Sequence, residues 1–429
     1  MGSSTSYRKG KLFHFQFLWH DYKNMISKEV KNLMGISKNP IAPKIWPVIV
    51  WIPLFANGLM GEFVWPFISI ILQGNGLQDS SIGLVLGFGN LLPLIFRVPL
   101  GYVLDRISSP SRFLLLLFLL PLPLLLIAFT SVHDAFYGVI LALLLWVGRL
   151  PYLPLSLALF DRKDAAPATR KALNSFVLVQ HFILGIVGLF AGVALYFFSI
   201  SSALEAVGVL TLLLNIWIVS THTPAPDRIS PKTQSPRILF PGKAEIWMLL
   251  AFFSFHFVNA PLLPFTELFL RGITKNSSFI PLVSALAELT MVIMSLVYAR
   301  WLSRLPITKV ILAGFLAQPL RLLALANAHS PWAILAIAIL DGWGAGLFAM
   351  TSLIWARERV GENQMFNQFV GYIDLAVVLG GVLGSFTAGA MISKWGFSGF
   401  AARDIWPSLL PPLFLFFYLF FARKEAVSH

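Results

Sequence analysis

The stretch "RVPLGYVLDR", residues 97–106, sets an arginine, a proline, a glycine and then an Asp-Arg pair into the end of a segment otherwise fit to dissolve in hydrocarbon. Whether those charges close a soluble helix or a membrane-spanning one decides the fold. The rest of the chain answers it. Of 429 residues, 57% are hydrophobic and 12% charged, and the mean hydropathy is positive, a balance far from that of soluble domains. Runs such as "FLLLLFLLPLPLLLIAF" (113–129) and "LLPPLFLFFYLFF" (409–421) are too long and too apolar for a soluble helix, and about 20 such residues cross a bilayer core. The chain reads as an integral membrane protein.

Working outward, twelve spans emerge: 45–72, 80–104, 113–130, 135–160, 172–197, 200–220, 244–270, 278–300, 309–328, 331–356, 366–392 and 404–422. The alternating pattern of a barrel strand is absent, so the spans are helices and the fold is all-α. Prolines inside them (Pro93, Pro99, Pro121, Pro123, Pro151, Pro154) free backbone carbonyls and predict kinks. With a cytoplasmic N-terminus, 25 lysines and arginines fall on the cytoplasmic side and four (Arg271, Lys275, Lys394, Arg403) on the other; Arg97, Arg149 and Arg321 lie within spans. That bias places both termini inside. It also accounts for the net charge of +13 as topology, so nucleic acid is not an expected partner.

Cysteine is absent, which removes disulfides and thiol chemistry. Residues 1–44 form a basic leader without the apolar centre of a cleavable signal. Phe15, Leu18, Tyr22, Ile26, Val30 and Leu33 recur in it at near-helical spacing, so it is either an amphipathic helix on the membrane surface or a disordered leader.

The Pro-rich polar segment 221–243 is the longest interior loop and divides six spans from six. At an offset of 198, "SIGLVLGFGNLL…LDRI" falls on "FIPLVSALAELT…LSRL", pairing Ile82 with Ile280, Val85 with Val283 and Arg106 with Arg304. At an offset of 196, Gly185 and Gly188 fall on Gly381 and Gly384. A duplicated six-helix unit is expected. The organisation is then a leader (1–44), an N-terminal bundle (45–220), a cytoplasmic linker (221–243), a C-terminal bundle (244–422) and a tail (423–429): twelve transmembrane helices in two pseudo-symmetric six-helix bundles.

With that frame, the opening stretch resembles the Arg-x-Pro-x-Gly-x-x-x-Asp-Arg signature between the second and third helices of the major facilitator superfamily. "PFISIILQGNGLQDSSIGLVLG" (66–87) looks like the first outer loop of that family, and "DGWGAGLFAMTSLIWARERV" (341–360) is similar to the tenth helix of its sugar, nucleoside and phenylpropionate symporter branch. The resemblance covers about 45–422. It departs after Arg106, where "ISSPSR" replaces the usual Gly-Arg-Arg/Lys, and at Ser303, where the second-half copy lacks an acidic residue. The resemblance implies a conformational latch made by Arg97, Gly101, Asp105 and Arg106. Gly101 would let helices approach closely, and Asp105 at the helix end would meet an arginine or a facing helix N-terminus. The alternative is an ordinary helix end with a snorkelling arginine.

Substrate chemistry is expected deeper. Arg149, His181, His256, Glu288, Arg321 and Asp341 fall near the centres of their spans, with Glu62 and Asp374 slightly less central. Each charge there costs about 2.5–3.5 kcal/mol on the insertion scale, so the groups should pair or line water in one shared cavity. Glu288, Arg321 and Asp341 come from helices eight, nine and ten, and form the expected proton-coupling group: a carboxylate that trades an arginine for a desolvated setting binds and releases a proton. The symporter branch places similar residue types on the same three helices. A merely structural ion pair is the rival reading.

Arg149 either holds an anionic group bidentately or pairs with Glu62. His181 and His256, alone on apolar helices, read more readily as hydrogen-bonded packing residues than as metal ligands. Glu205 and Glu267 sit near span ends and should face water. Trp51 and Trp65, which flank Glu62, are the aromatic cavity candidates. There is no Walker loop, no His-x-x-x-His spacing, and no Gly-Pro-x-x-Gly-Gly in "GLFAGV" (188–193). The expectation is a non-enzymatic secondary transporter that couples protons to uptake of a small polar or anionic solute. Efflux of an amphipathic compound or siderophore, metal-ion transport and a transporter-like scaffold are the alternatives. Its partners would be a small-molecule substrate, protons and the lipid bilayer. No cofactor is implied, and a monomer in a bacterial inner membrane is expected.

Overall fold

In hydrocarbon no water satisfies backbone amides, so an apolar segment must close its hydrogen bonds on itself. The computed structural model obeys this throughout. It describes residues 55–56, 58–59, 64–106, 116–117, 119–149, 170–221, 241–274, 276–360 and 366–427, which are helical apart from short turns and contain no strand. The helices are α1 (Trp65–Gly74), α2 (Asp79–Arg106), α3 (Pro121–Thr130), α4 (Ala135–Arg149), α5 (Arg170–Phe197), α6 (Ile200–Thr221), α7 (Lys243–Ile273), α8 (Phe279–Arg300), α9 (Ile307–Ala326), α10 (Pro331–Val360), α11 (Phe366–Asp404) and α12 (Leu410–Val427). Each falls on one of the twelve spans read from the sequence. Eight stretches among the described residues are long and apolar enough to cross a membrane, the last of them running through both α11 and α12. The leader 1–44, Trp51 and Glu62 lie outside the described residues.

Prolines act where chemistry allows. Pro66 and Pro121 open α1 and α3, where the missing N–H costs nothing. Pro261 and Pro264 lie inside α7, and Pro319 lies inside α9. The interval between the last two spans, which neither span covers in the sequence, is largely helical: a second helical segment continues α11 to Asp404 after a break at Gly396. There φ is 69°, a left-handed conformation that favours glycine.

The packing pattern has a twofold logic. The repeat expected from the sequence would carry α2 onto α8 and α5 onto α11, and the principal contacts between the two sets of six helices are α2 with α11 and α5 with α8. Exchanging the halves exchanges these two contacts. On α2, a Cβ at Gly83 would lie 2.6 Å from the Ser385 carbonyl oxygen and 2.9 Å from the Gly389 Cα, so glycine on both sides permits near backbone contact. One turn away the Ser80 amide donates to Ser393 Oγ at 3.0 Å. On α5, a Cβ at Gly192 would meet Leu282 of α8 at 2.9 Å. The end of the bundle that carries Asp79, Phe197, Phe279 and Ser393 is therefore tightly closed between the halves.

Within the second half, Phe252, Phe255, Phe315, Trp355 and Phe369 form an aromatic core from four helices, with Phe252 edge-on to Trp355 at 5.4 Å. Arg359 Nε of α10 donates to Glu245 Oε1 at the start of α7. Large apolar side chains such as Phe190, Leu320, Trp332 and Phe416 are exposed, as a lipid-facing surface requires.

Candidate functional site

Two polar pairs lie deep among the apolar helices. In the first, Arg321 Nη1 of α9 donates to Asp341 Oδ1 of α10 at 2.6 Å, and both side chains are nearly dry, at 3% and 7% exposure. A buried pair holds only if its remaining donors find partners. Here Asn259 of α7 supplies one: its Oδ1 accepts from Arg321 Nη1 at 3.0 Å and from Gln318 Nε2 at 3.3 Å. Gln318 and Arg321 are one turn apart on α9 beside Pro319, and Asn259 precedes Pro261, so the cluster sits where both helices lack a backbone donor.

The second pair joins the halves. His181 Nδ1 of α5 meets Glu288 Oε2 of α8 at 2.5 Å, with side chains 12% and 15% exposed. With an ionised Glu288, the ring must carry a proton on Nδ1 to donate. Glu288 thus has His181 as its hydrogen-bond partner, and Arg321 has Asp341. The two clusters are neighbours, because α8 and α10 pack nearly backbone to backbone beside them: a Cβ at Gly342, next to Asp341, would strike the carbonyl oxygen of Ala287, next to Glu288. Counting helical rise, Glu288 lies about 14 Å from Phe279 and Asp341 about 15 Å from Pro331. One pair thus bridges the two halves, and it lies beside a carboxylate held by arginine.

The other candidates are distributed around this centre. His256 of α7 packs edge-on against Phe348 at 4.6 Å, and its buried Nε2 has no hydrogen-bond partner. Asp374 is half-buried on α11. Arg149 ends the described part of α4, and Arg97, Gly101, Asp105 and Arg106 lie on the last turns of α2. Trp65 packs against Trp146 with ring centroids 4.4 Å apart. Glu205 is exposed. Glu267 is not: it is 1% exposed. The expectation that it faces water fails because α7 continues to Ile273, which sets the residue a further turn inside the bundle. Asn259 and Gln318 were missed altogether. Their signal in the sequence is a neutral amide within an apolar span, weaker than a charge because it costs less to bury.

The sequence profile of the Major Facilitator Superfamily matches residues 50–277. No curated protein matches the chain in sequence. Among solved structures, the nucleoside transporter NupG superposes with a TM-score of 0.66 at 14% identity, over 87% of this chain and 98% of that one. A bacterial homologue of the human lysosomal transporter Spinster, inward-facing and occupied, gives 0.66 at 14% identity over 90% and 98%. The POT family transporter PepTSo gives 0.66 at 13% identity over 90% and 99%.

Proposed function

Because the chain belongs to the major facilitator superfamily, and so is a multi-pass membrane transporter, we propose that it carries a small polar or anionic organic solute into the cell together with protons. Both termini are cytoplasmic and the membrane is a bacterial inner membrane. The observation that carries the reading is the His181–Glu288 bond between α5 and α8, set beside the Arg321–Asp341 pair. Rocking of one half against the other changes the partners of Glu288, and with them its hold on a proton. Coupling follows when the carboxylate is loaded in one arrangement and unloaded in the other. The end closed by Gly83, Gly389 and Ser80 faces outward under the lysine and arginine bias.

The test is uptake into proteoliposomes, with and without an imposed proton gradient, across a panel of nucleosides, organic anions, sugars and short peptides. At 100 mV each coupled charge carries about 2.3 kcal/mol, a roughly fifty-fold gradient, so coupled accumulation is easily seen. Glu288→Gln and Asp341→Asn should each abolish accumulation, while exchange, which needs no net proton movement, survives in at least one. Unchanged uphill uptake in both variants sinks the coupling assignment and shifts it towards Glu62 and Asp374.

A further inference from the structure

Glu267 is a buried carboxylate that the two pairs leave unexplained. It is 1% exposed. Its Oε1 has no hydrogen-bond partner. Among the described residues no lysine, arginine or histidine forms an ion pair with it. An ionised carboxylate so placed is uncompensated, whereas a bound small cation or proton neutralises it.

Its depth supplies the second argument. Glu267 lies six residues from Ile273, about 9 Å along the helix, against about 14 Å for Glu288 from Phe279 and about 15 Å for Asp341 from Pro331. These three helix termini are at the same end of the bundle, so the carboxylates descend from that end towards its centre. Resting on the symport reading above, we propose that Glu267 is a proton-binding station between the outer end of the bundle and the Glu288 and Asp341 cluster. A hydronium ion gives its proton to the orphaned Oε1, leaving water. The proton then passes to one of the deeper carboxylates, and Glu267 returns to its ionised form; nothing is oxidised or reduced.

The test needs no substrate, because the proton is the probe. Infrared difference spectra of the full chain in bilayers, titrated from alkaline to acid pH in light and in heavy water, report a protonated carboxyl by its deuterium-sensitive carbonyl stretch. Wild type should show such a band, E267Q should lose it, and E267D should shift it, with unchanged amide bands attesting the fold of all three. E267D keeps the acid, so it decides the matter if E267Q does not fold: an unshifted band overturns the proposal. Identical spectra for wild type and E267Q overturn it too, as does a band that sodium chloride removes at constant pH, which would mark a monovalent-cation site. E288Q and D341N in the same titration separate this inference from the reading it rests on. Bands lost in those two alone sink Glu267 and leave symport standing, whereas a band lost in E267Q alone upholds proton binding there and sinks the deeper coupling assignment.

Discussion

Arg321 shows what a single residue demands of a membrane interior. Its guanidinium is held by Asp341 and Asn259, and removing one member of such a pair leaves the other as an unpaired buried charge. Arg321→Met should therefore destabilise the protein by about 3–5 kcal/mol, visible as a fall in melting temperature in detergent. Adding Asp341→Leu should recover most of that loss, because an apolar pair leaves no charge behind, while uphill transport stays absent. If Arg321→Met melts like wild type, the pair does not support the fold. The sequence made Arg321 and Asp341 legible through the cost of burying charge. It could not reveal that Asn259 and Gln318 complete the cluster, or that His181 takes Glu288. Those facts depend on how α7 and α9 are rotated and on which face of α5 meets α8.

At the scale of the helix, the contact between α2 and α11 is made by absence. Gly83 and Gly389 bring the backbones together, and Ser80 and Ser393 are bonded across it. Gly83→Leu should prevent this closure and cut transport sharply, yet leave folding of each half intact, as judged by expression and melting. The absence of cysteine offers a cleaner experiment. In the double variant Ser80→Cys with Ser393→Cys, an oxidant should trap the closed end and stop transport, and a reductant should restore it. Transport undiminished by a demonstrated cross-link would show that this contact need not open. On the other side of α11, a side chain at Gly384 would strike the Phe257 carbonyl oxygen of α7, so Gly384→Leu should destabilise the second half itself. The spans were legible as elements because length and hydropathy are local properties. The continuation of α11 past Gly396 was not, since a polar, glycine-containing interval reads alike as loop and as kinked helix.

For the whole molecule, the distribution of lysine and arginine predicts that tags at residue 5, within 221–243 and at residue 429 all report from the cytoplasm. An outward-facing tag in the central segment would break the arrangement of two six-helix halves. The sequence by itself determined that this is an all-helical, multi-pass membrane protein, with a stretch at Arg97–Arg106 that resembles a superfamily signature. Hydrocarbon leaves an apolar segment little choice but a helix, and that constraint acts residue by residue along the chain. Only the tertiary structure decided which charges meet. It set Glu288 against His181 across the halves, closed Arg321 on Asp341 within one half, and buried Glu267 where a surface residue was expected. Pairing between helices depends on their rotation, tilt and end points, and an apolar run of a given length tolerates many combinations of these.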